Sequence, residues 1–341
     1  MKVAFFDTKS YDKLSFEPLA KKYGVKIKFF DSHLNEDTAP LAKGFDAVCV
    51  FVNDNVNKST IEILVKGGVK LIALRCAGFN NVDTKFAFGK IHVVRVPAYS
   101  PYAVAEHAIA MLLTLNRKTH KAYQRTREFN FSLAGLTGFD LKGKTMGVIG
   151  TGKIGRELAK IASGFSMEVI CYDAYPSGEL NFVSLEELFS RSDVISLHCP
   201  LTPETTHLIN KQSINLMKKG VYIINTSRGA LVDAEALLDS IKSGKIGGAC
   251  LDVYEEESDL FFEDKSDTII QDDILARLIS MPNVLVTSHQ AFLTKEALEN
   301  IAQTTLENIV EFFQNGKTQN EICYKCERLE RCRKTREGKC F

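Results

Sequence analysis

Three glycines near the middle of the chain have the spacing of a phosphate-binding turn. Gly150, Gly152 and Gly155 form the pattern G-x-G-x-x-G directly after an apolar run and at the start of a helical pattern. The first glycine permits a tight turn, the second lets the backbone approach a pyrophosphate, and the third permits close helix packing. The helix N-terminus adds N–H donors. This loop, which also contains Lys153 and Ile154, predicts a dinucleotide-binding site.

An acidic residue follows the glycine loop at the distance expected for ribose recognition. Asp173 stands about 20 residues further on, after the next apolar run. A carboxylate at this place accepts hydrogen bonds from an adenosine ribose and repels a 2′-phosphate. We therefore expect NAD(H) as the cofactor. The alternative interpretation is an ordinary strand-to-helix turn followed by a surface aspartate.

Three further side chains with catalytic chemistry come soon after apolar runs in the second half of the chain. Arg228 follows VYIIN, Glu257 follows GGACLDV, and His289 follows VLVTS. Parallel strands end at one edge of a sheet, and open α/β sheets bind ligands there. We therefore expect a guanidinium, a carboxylate and an imidazole in one crevice. Taken singly, an arginine or glutamate after a strand is more often a solvated loop charge, and a lone histidine is more often structural, but the conjunction with a dinucleotide-binding pattern favours the catalytic interpretation.

Four cysteines are concentrated at the C-terminal end of the chain. Cys323, Cys326, Cys332 and Cys340 form C-x2-C-x5-C-x7-C among many charged residues. Four thiolates with this spacing can hold Zn2+ or a [4Fe-4S] cluster, and a metal supplies the folding energy that a short polar segment lacks. A flexible basic tail with free thiols is the alternative, and both interpretations stay open.

The elements that must position these residues are visible as alternating patterns. Short β-branched and aromatic runs alternate with helical patterns, which predicts parallel sheets covered by helices. The predicted strands are residues 3–7, 26–31, 47–52, 71–76 and 91–96, then 145–150, 167–173, 194–199, 221–225, 247–253 and 284–288. The main predicted helices are residues 10–23, 57–66, 81–89, 101–117 and 294–315. Pro97 and Pro101 mark the break between the two series.

Length and charge limit the classes of protein that remain. A chain of 341 residues with 45% hydrophobic residues is expected to form two domains, each with its own core. Because 43 Lys and Arg balance 42 Asp and Glu, no strong field attracts nucleic acid or an anionic membrane. No apolar run has the length of a bilayer span, and nine cysteines are too few for a disulfide scaffold. We expect a cytoplasmic protein without nucleic-acid or membrane partners.

The chain resembles the D-isomer-specific 2-hydroxyacid dehydrogenase family over about residues 1–315. The matching stretches are GFNNVD (78–83), VPAYSPYAVAEHA (96–108), LKGKTMGVIGTGKIG (141–155), HCPLTPETTHLIN (198–210), INTSRGALVD (224–233), LDVYE (251–255) and PNVLVTSHQAF (282–292). The long polar stretch from residue 255 to 273 is similar to the D-lactate dehydrogenase branch of that family.

The resemblance implies roles for the three catalytic candidates. Arg228 would bind the substrate carboxylate and polarise its carbonyl, and His289 would be the acid/base. Glu257 would pair with that imidazole and keep it protonated, since a close carboxylate favours the charged form of a histidine. Glu257 stands in a run of three acidic residues, so Glu255 and Glu256 are the alternatives.

The resemblance also implies the remaining contacts. Gly78 and Phe79 would offer backbone N–H groups to the substrate carboxylate, and Tyr99 would line the pocket. The implied cofactor contacts beyond the glycine loop and Asp173 are Cys199, Pro200, Thr226 and Asp252, which would border the nicotinamide and its carboxamide.

The implied fold consists of two open doubly wound parallel-sheet domains with an active-site cleft between them. Residues 1–99 and 291–316 would form a discontinuous flavodoxin-like substrate domain. Residues 100–290 would form a Rossmann domain for NAD, and residues 317–341 a cysteine-rich basic tail. The family also implies a homodimer.

The activity implied by the resemblance is the reversible, NADH-dependent reduction of pyruvate to D-lactate. Two alternatives stay open at this point. One is another 2-oxo acid as the preferred substrate, such as hydroxypyruvate, glyoxylate or a branched-chain acid, because pocket size discriminates only weakly between side chains. The other is a non-catalytic NAD(H)-sensing regulator on the same fold.

Overall fold

The two strand series form two compact units. The computed structural model describes residues 1–256, 260–322 and 324. The first unit consists of residues 1–100 and the described residues from 294 onward, and the second consists of the described residues between 101 and 293. Each unit has a parallel sheet with helices, which confirms the predicted α/β class with two parallel-sheet domains.

The helices and strands are numbered along the chain. The strands are β1 (Lys2–Phe5), β2 (Lys26–Phe29), β3 (Ala47–Val50), β4 (Leu71–Leu74), β5 (His92–Val94), β6 (Thr145–Ile149), β7 (Glu168–Tyr172), β8 (Val194–Leu197), β9 (Val221–Asn225), β10 (Ile246–Leu251) and β11 (Val284–Val286). The helices are α1 (Ser10–Tyr23), α2 (Lys58–Lys66), α3 (Thr84–Ala87), α4 (Pro101–Arg117), α5 (Thr119–Arg127), α6 (Lys153–Gly164), α7 (Leu185–Arg191), α8 (Lys211–Leu216), α9 (Ala234–Lys242), α10 (Asp273–Ser280) and α11 (Lys295–Asn315).

The first unit contains a five-stranded sheet in the order β2-β1-β3-β4-β5, with all neighbouring strands parallel. This is the flavodoxin-like order. Strands β3 and β4 are completely buried because they are apolar at every position, as a sheet covered on both faces requires. The helix predicted over residues 81–89 is wrong at both ends. The observed helix is only the short α3. It begins after Asp83, which caps it by accepting a hydrogen bond from the Phe86 N–H, and it cannot extend through Gly89, whose φ is +76°.

The second unit contains a six-stranded parallel sheet in the order β11-β10-β9-β8-β6-β7. A short segment extends it beyond β7, since Cys171 pairs with Phe182 in a parallel bridge. The Cys171 N–H donates to Asn181, and the Val183 N–H donates to Cys171. With this segment as the third strand, the unit has the strand order of a six-stranded Rossmann sheet plus one further strand. Successive strands are added towards one side of β6 up to this short segment and towards the other side from β8 onward, so the strand order reverses between β6 and β8.

The long helices begin and end where the sequence provides the appropriate residues. Pro101 is the first residue of α4, where its missing N–H leaves no helical hydrogen bond unmade. Thr294 caps α11 by accepting from the Ala297 N–H, and Gly316 ends it in the left-handed region at φ +69°. Among the described residues, no helix combines the length and apolar character needed to cross a bilayer.

Candidate active site

The glycine loop lies directly after β6, at the switch point of the second sheet. Gly150 has φ +93°, and a Cβ there would lie 2.5 Å from the Cys199 nitrogen at the end of β8. A Cβ on Gly155 would lie 2.0 Å from the Gly150 carbonyl oxygen, so only glycine lets α6 approach this turn. Above Gly152, by contrast, a Cβ would meet no described atom within 4 Å. This open backbone at a helix N-terminus fits a pyrophosphate.

Asp173 is held beside the glycine loop by the residue between its first two glycines. Thr151 donates to the Asp173 Oδ2 atom from its backbone N–H, at 2.6 Å, and from its hydroxyl, at 2.9 Å. The Tyr175 N–H donates to Oδ1 at 2.9 Å. Partial burial alone would raise the pKa of Asp173, but these hydrogen bonds outweigh it and lower that pKa below its usual value. The carboxylate is therefore charged at neutral pH beside the glycine loop.

The loops that follow β8 and β9 are joined next to the glycine loop. The Ser227 hydroxyl donates to the Cys199 carbonyl at 2.7 Å, and the Asn225 amide donates to the Arg228 carbonyl at 2.8 Å. The Thr226 hydroxyl is buried and has no hydrogen-bond partner in the described part of the chain. Burial raises the pKa of the Cys199 thiol to about 11, so it presents a neutral, weakly polar surface. These features fit the flat face of a nicotinamide.

Arg228 lies three residues after the end of β9, and in the described part of the chain its guanidinium donates to one backbone carbonyl. Its Nη1 donates to the Ser227 carbonyl at 2.6 Å, and the side chain is half-buried. Pro200, a predicted nicotinamide contact in the loop after β8, is exposed. A guanidinium at the carboxyl edge of a parallel sheet can bind a carboxylate through two parallel hydrogen bonds.

His289 occupies an unusual backbone position after β11. Its φ is +51°, in the left-handed region that non-glycine residues rarely adopt. Its N–H donates to the Asp252 carbonyl at 2.7 Å, which joins the ends of β10 and β11. The ring of Phe262 lies 5.8 Å from the imidazole, centroid to centroid. Strained positions of this kind are maintained where the surroundings fix them, and they concentrate at functional sites.

Asp252 is completely buried and accepts hydrogen bonds from the segment that carries His289. Its Oδ1 accepts from the Thr287 hydroxyl at 2.5 Å and from the Gln290 N–H at 2.9 Å, and its Oδ2 accepts from the Ala291 N–H at 2.8 Å. The predicted contact of Asp252 with a nicotinamide carboxamide stays a prediction. What the structure adds is that this carboxylate holds the Thr287 side chain before His289 and the backbone of the two residues after it.

The acidic run is only partly described. The Glu255 Oε1 atom lies 2.7 Å from His207 Nε2, so this alternative carboxylate is already paired with another histidine. Glu256 is exposed. Glu257 lies outside the described residues, and its pairing with His289 therefore stays a prediction.

The first unit presents the predicted substrate loop after β4. The Arg95 guanidinium donates to the Ala77 carbonyl at 2.8 Å and lies 5.2 Å from the centroid of the Phe79 ring. The Cys76 thiol is 3.2 Å from the Gly78 carbonyl. Within the described residues, neither the Gly78 nor the Phe79 N–H has a protein acceptor. Both N–H groups are therefore available to an anion, and their contact with a substrate carboxylate stays a prediction.

Of the remaining candidates, Tyr99 belongs to the described part of the chain and the four C-terminal cysteines do not. Tyr99 is half-buried, and its carbonyl accepts from the Asn300 amide on α11 at 2.8 Å. Cys323, Cys326, Cys332 and Cys340 lie outside the described residues.

Sequence reasoning missed two positioning side chains. Thr151 is one of the variable residues of the glycine pattern, and nothing in that pattern predicts that its hydroxyl fixes Asp173. Arg95 had a visible signal, because it is a charged residue within an otherwise apolar strand-like run. Such a residue needs a polar partner, which here is the Ala77 carbonyl in the predicted substrate loop.

Comparisons with known proteins agree with this geometry. Residues 109–291 match the family model described as "D-isomer specific 2-hydroxyacid dehydrogenase, NAD binding domain". The D-lactate dehydrogenase of Escherichia coli is 55% identical over 329 residues, covering 94% of this chain and all of that protein. Its apo-structure has a TM-score of 0.87.

Two further solved structures extend the comparison. One is described as the pyruvate reductase of Chlamydomonas reinhardtii, with a TM-score of 0.88, 46% identity, and coverage of 92% of this chain and 97% of that chain. The other, a D-2-hydroxyisocaproate dehydrogenase, has a TM-score of 0.84 and 35% identity, covering 94% of this chain and 99% of that chain.

The chain belongs to the D-isomer specific 2-hydroxyacid dehydrogenase family, whose members are NAD-dependent oxidoreductases. Its relatives place it in the D-lactate dehydrogenase branch, which confirms the resemblance drawn from the sequence.

Proposed function

We propose that this protein reduces pyruvate to D-lactate with NADH, and that it catalyses the reverse reaction as well. The observation that carries the proposal is the similarity to the E. coli D-lactate dehydrogenase over all of that protein's length. The glycine loop, Asp173 and the Thr226 hydroxyl, which has no hydrogen-bond partner among the described residues, supply features that fit a bound NAD(H).

In this proposal the substrate carboxylate accepts hydrogen bonds from a guanidinium and from backbone N–H groups. Arg228 binds the carboxylate of pyruvate and polarises the neighbouring carbonyl through its planar guanidinium, which a lysine cannot reproduce. The N–H groups of Gly78 and Phe79 bind the same carboxylate. Tyr99 borders the methyl group.

The proton step is assigned to His289. Bound NADH supplies the hydride that C2 of pyruvate receives. Protonated His289 donates its proton to the C2 oxygen, which becomes the hydroxyl group of the product. The imidazole is left in its neutral form. In the reverse direction the neutral imidazole removes the hydroxyl proton. Glu257 favours the protonated imidazole, as an adjacent carboxylate does for a histidine.

A steady-state assay separates this enzyme from a non-catalytic NAD(H)-sensing regulator. With pyruvate and NADH the proposal predicts continuous oxidation of NADH and accumulation of lactate, and chiral chromatography should find the D form. Cofactor binding without turnover would favour the regulator, and L-lactate as product would contradict the proposed stereochemistry.

Cofactor selectivity provides a prediction based on Asp173. We expect kcat/KM for NADH to exceed that for NADPH by at least about 10-fold, because a 2′-phosphate would lie against a charged carboxylate. Replacing Asp173 by alanine should reduce this ratio, mainly by weakening NADH binding. Equal kcat/KM values for the two cofactors in the unmodified protein would contradict the role given to Asp173.

A second prediction concerns the cysteine-rich tail. We propose that Cys323, Cys326, Cys332 and Cys340 bind Zn2+ or a [4Fe-4S] cluster. Anaerobically purified protein should then contain one equivalent of zinc, or about four of iron with the absorption band of a cluster. A chain ending at residue 322 should contain neither. Metal-free protein with four titratable tail thiols would instead indicate a flexible basic tail.

A homodimer is proposed from the family and from an exposed apolar segment. Phe129, Phe131 and Leu133, between α5 and β6, are 85%, 71% and 80% exposed. Large apolar side chains in one exposed segment are typical of an interaction surface, and a second copy of the chain would cover them. Sedimentation equilibrium should give the mass of two chains, and Phe131→Ser should weaken the association. A monomer at micromolar concentration would contradict this proposal.

We also propose a cytoplasmic location. Cys49, Cys76, Cys171, Cys199 and Cys250 are buried free thiols, which fits a reducing compartment. Cell fractionation tests this proposal, with the activity expected in the soluble cytoplasmic fraction and contradicted by activity in a secreted or membrane fraction.

A further inference from the structure

His107, in the middle of α4, contacts the segment that carries His289. Its Nε2 atom lies 3.2 Å from the Thr287 hydroxyl oxygen and 3.4 Å from Asp252 Oδ1. The imidazole is 18% exposed, so this contact is largely shielded from water. Most of α4 is an apolar helix that packs against α6 and the second sheet, and packing alone does not require an imidazole at this position.

The direction of each hydrogen bond in this group follows from the number of available protons. The Asp252 carboxylate already accepts from the backbone N–H groups of Gln290 and Ala291, so it acts as the acceptor for Thr287 as well. The single hydroxyl proton of Thr287 therefore points to Asp252. The Thr287 oxygen then accepts from His107, which must carry a proton on Nε2.

The result is a chain of donors that ends beside the catalytic histidine. His107 fixes the orientation of the Thr287 hydroxyl, and Thr287 holds the Asp252 carboxylate. Asp252 in turn binds the backbone immediately after His289, while its own carbonyl accepts the His289 N–H. Because His289 has φ +51°, its position depends on such fixed neighbours rather than on its own backbone preference.

We propose that His107 is a positioning residue for His289, which acts by donating from Nε2 to Thr287 and thereby fixing the Asp252 carboxylate that holds residues 289–291. This inference rests on the proposed role of His289 as the acid/base. It assigns no contact of His107 with substrate or cofactor. The alternative is that His107 only fills space between α4 and the sheet.

Two substitutions of His107 distinguish a hydrogen-bond donor from a space-filling side chain. His107→Gln retains an N–H donor near the place of Nε2, and His107→Leu retains much of the volume without a donor. We expect His107→Leu to lower kcat for pyruvate reduction by about 10- to 100-fold, the scale on which a misplaced catalytic group reduces a rate. The KM for pyruvate should change by less than about threefold, because the groups proposed to bind its carboxylate remain. His107→Gln should recover most of kcat.

Thr287 provides the second half of the test. Thr287→Val removes the hydroxyl with little change of shape, and it should lower kcat as much as His107→Leu. The double variant should be no slower than either single variant, since both changes break the same chain of hydrogen bonds. Met111→Leu is the matched control, because the Met111 sulfur lies 3.7 Å from the same hydroxyl and the substitution conserves volume.

Hydrogen–deuterium exchange makes the test independent of turnover. Exchange at the amides of residues 287–291 should become faster in His107→Leu and Thr287→Val, and should be unchanged in His107→Gln and Met111→Leu. The proposal is overturned if His107→Leu retains full kcat, if Gln and Leu are equally impaired, or if the two single effects multiply in the double variant. A failure of the proposed function itself is recognised separately, because the unmodified protein would then not reduce pyruvate while the exchange pattern would persist.

Discussion

Replacing His289 by glutamine is expected to lower kcat for pyruvate reduction by about 100-fold or more at every pH, the usual scale for losing a general acid. Glutamine can still donate a hydrogen bond to the C2 oxygen, but it cannot transfer a proton to it. The loss should appear in kcat, with KM changed much less, and it should be equal in the direction of lactate oxidation. Steady-state kinetics between about pH 5 and 9 measure it, a range that spans the ordinary titration of histidine.

His120→Gln is the matched control for this prediction. His120 lies on α5 in the same unit as His289 and has no role in the proposed mechanism. This variant should retain the activity of the unmodified protein. If His289→Gln also retained more than about a tenth of kcat, the acid/base role of His289 would be wrong.

Replacing Glu257 by glutamine is expected to move the alkaline limb of pyruvate reduction to lower pH by roughly 1 to 3 units. The amide retains the shape of the side chain but removes the negative charge that favours a protonated imidazole. Pyruvate reduction needs the protonated form, so its rate falls as the proton is lost at rising pH. Lactate oxidation needs the neutral form, and its acidic limb should therefore move in the same direction.

The neighbouring glutamates are the controls for this shift. Glu255 is paired with His207 at 2.7 Å, and Glu255→Gln should leave the pH profile of pyruvate reduction in place. Glu256→Gln should do the same. An unchanged profile in Glu257→Gln, together with a shift in either neighbour, would show that another member of the acidic run holds the proton on His289.

The placement of the strands was predictable because their apolar runs are continuous and have turn residues on both sides. Residues 101–117 were predicted as a helix and form α4 with the same bounds, since Pro101 and the helical pattern both mark it. The third strand of the Rossmann sheet escaped prediction. Residues 181–183 pair with β7 by a single bridge, and so short a segment has no periodicity that a sequence pattern can reveal.

The sequence indicates which loops carry the candidate residues, because the carboxyl ends of parallel strands share one edge, and the roles of these residues stay predictions. The finer arrangement depends on contacts between residues far apart in the chain. Nothing near Asp252 in the sequence indicates that its carboxylate accepts from the Thr287 hydroxyl and from the N–H groups of residues 290 and 291. The left-handed backbone of His289 is likewise fixed by Asp252, and it has no local cause in a glycine or asparagine.

The most direct test of the proposed function is kcat/KM for a panel of 2-oxo acids with NADH, measured under identical conditions. The panel should contain pyruvate, hydroxypyruvate, glyoxylate and a branched-chain 2-oxo acid. We predict the highest value for pyruvate, by about 10-fold or more over the branched acid, because differences in side-chain size produce discrimination on that scale. A higher kcat/KM for any other member of the panel, or no turnover of pyruvate, would contradict the assignment.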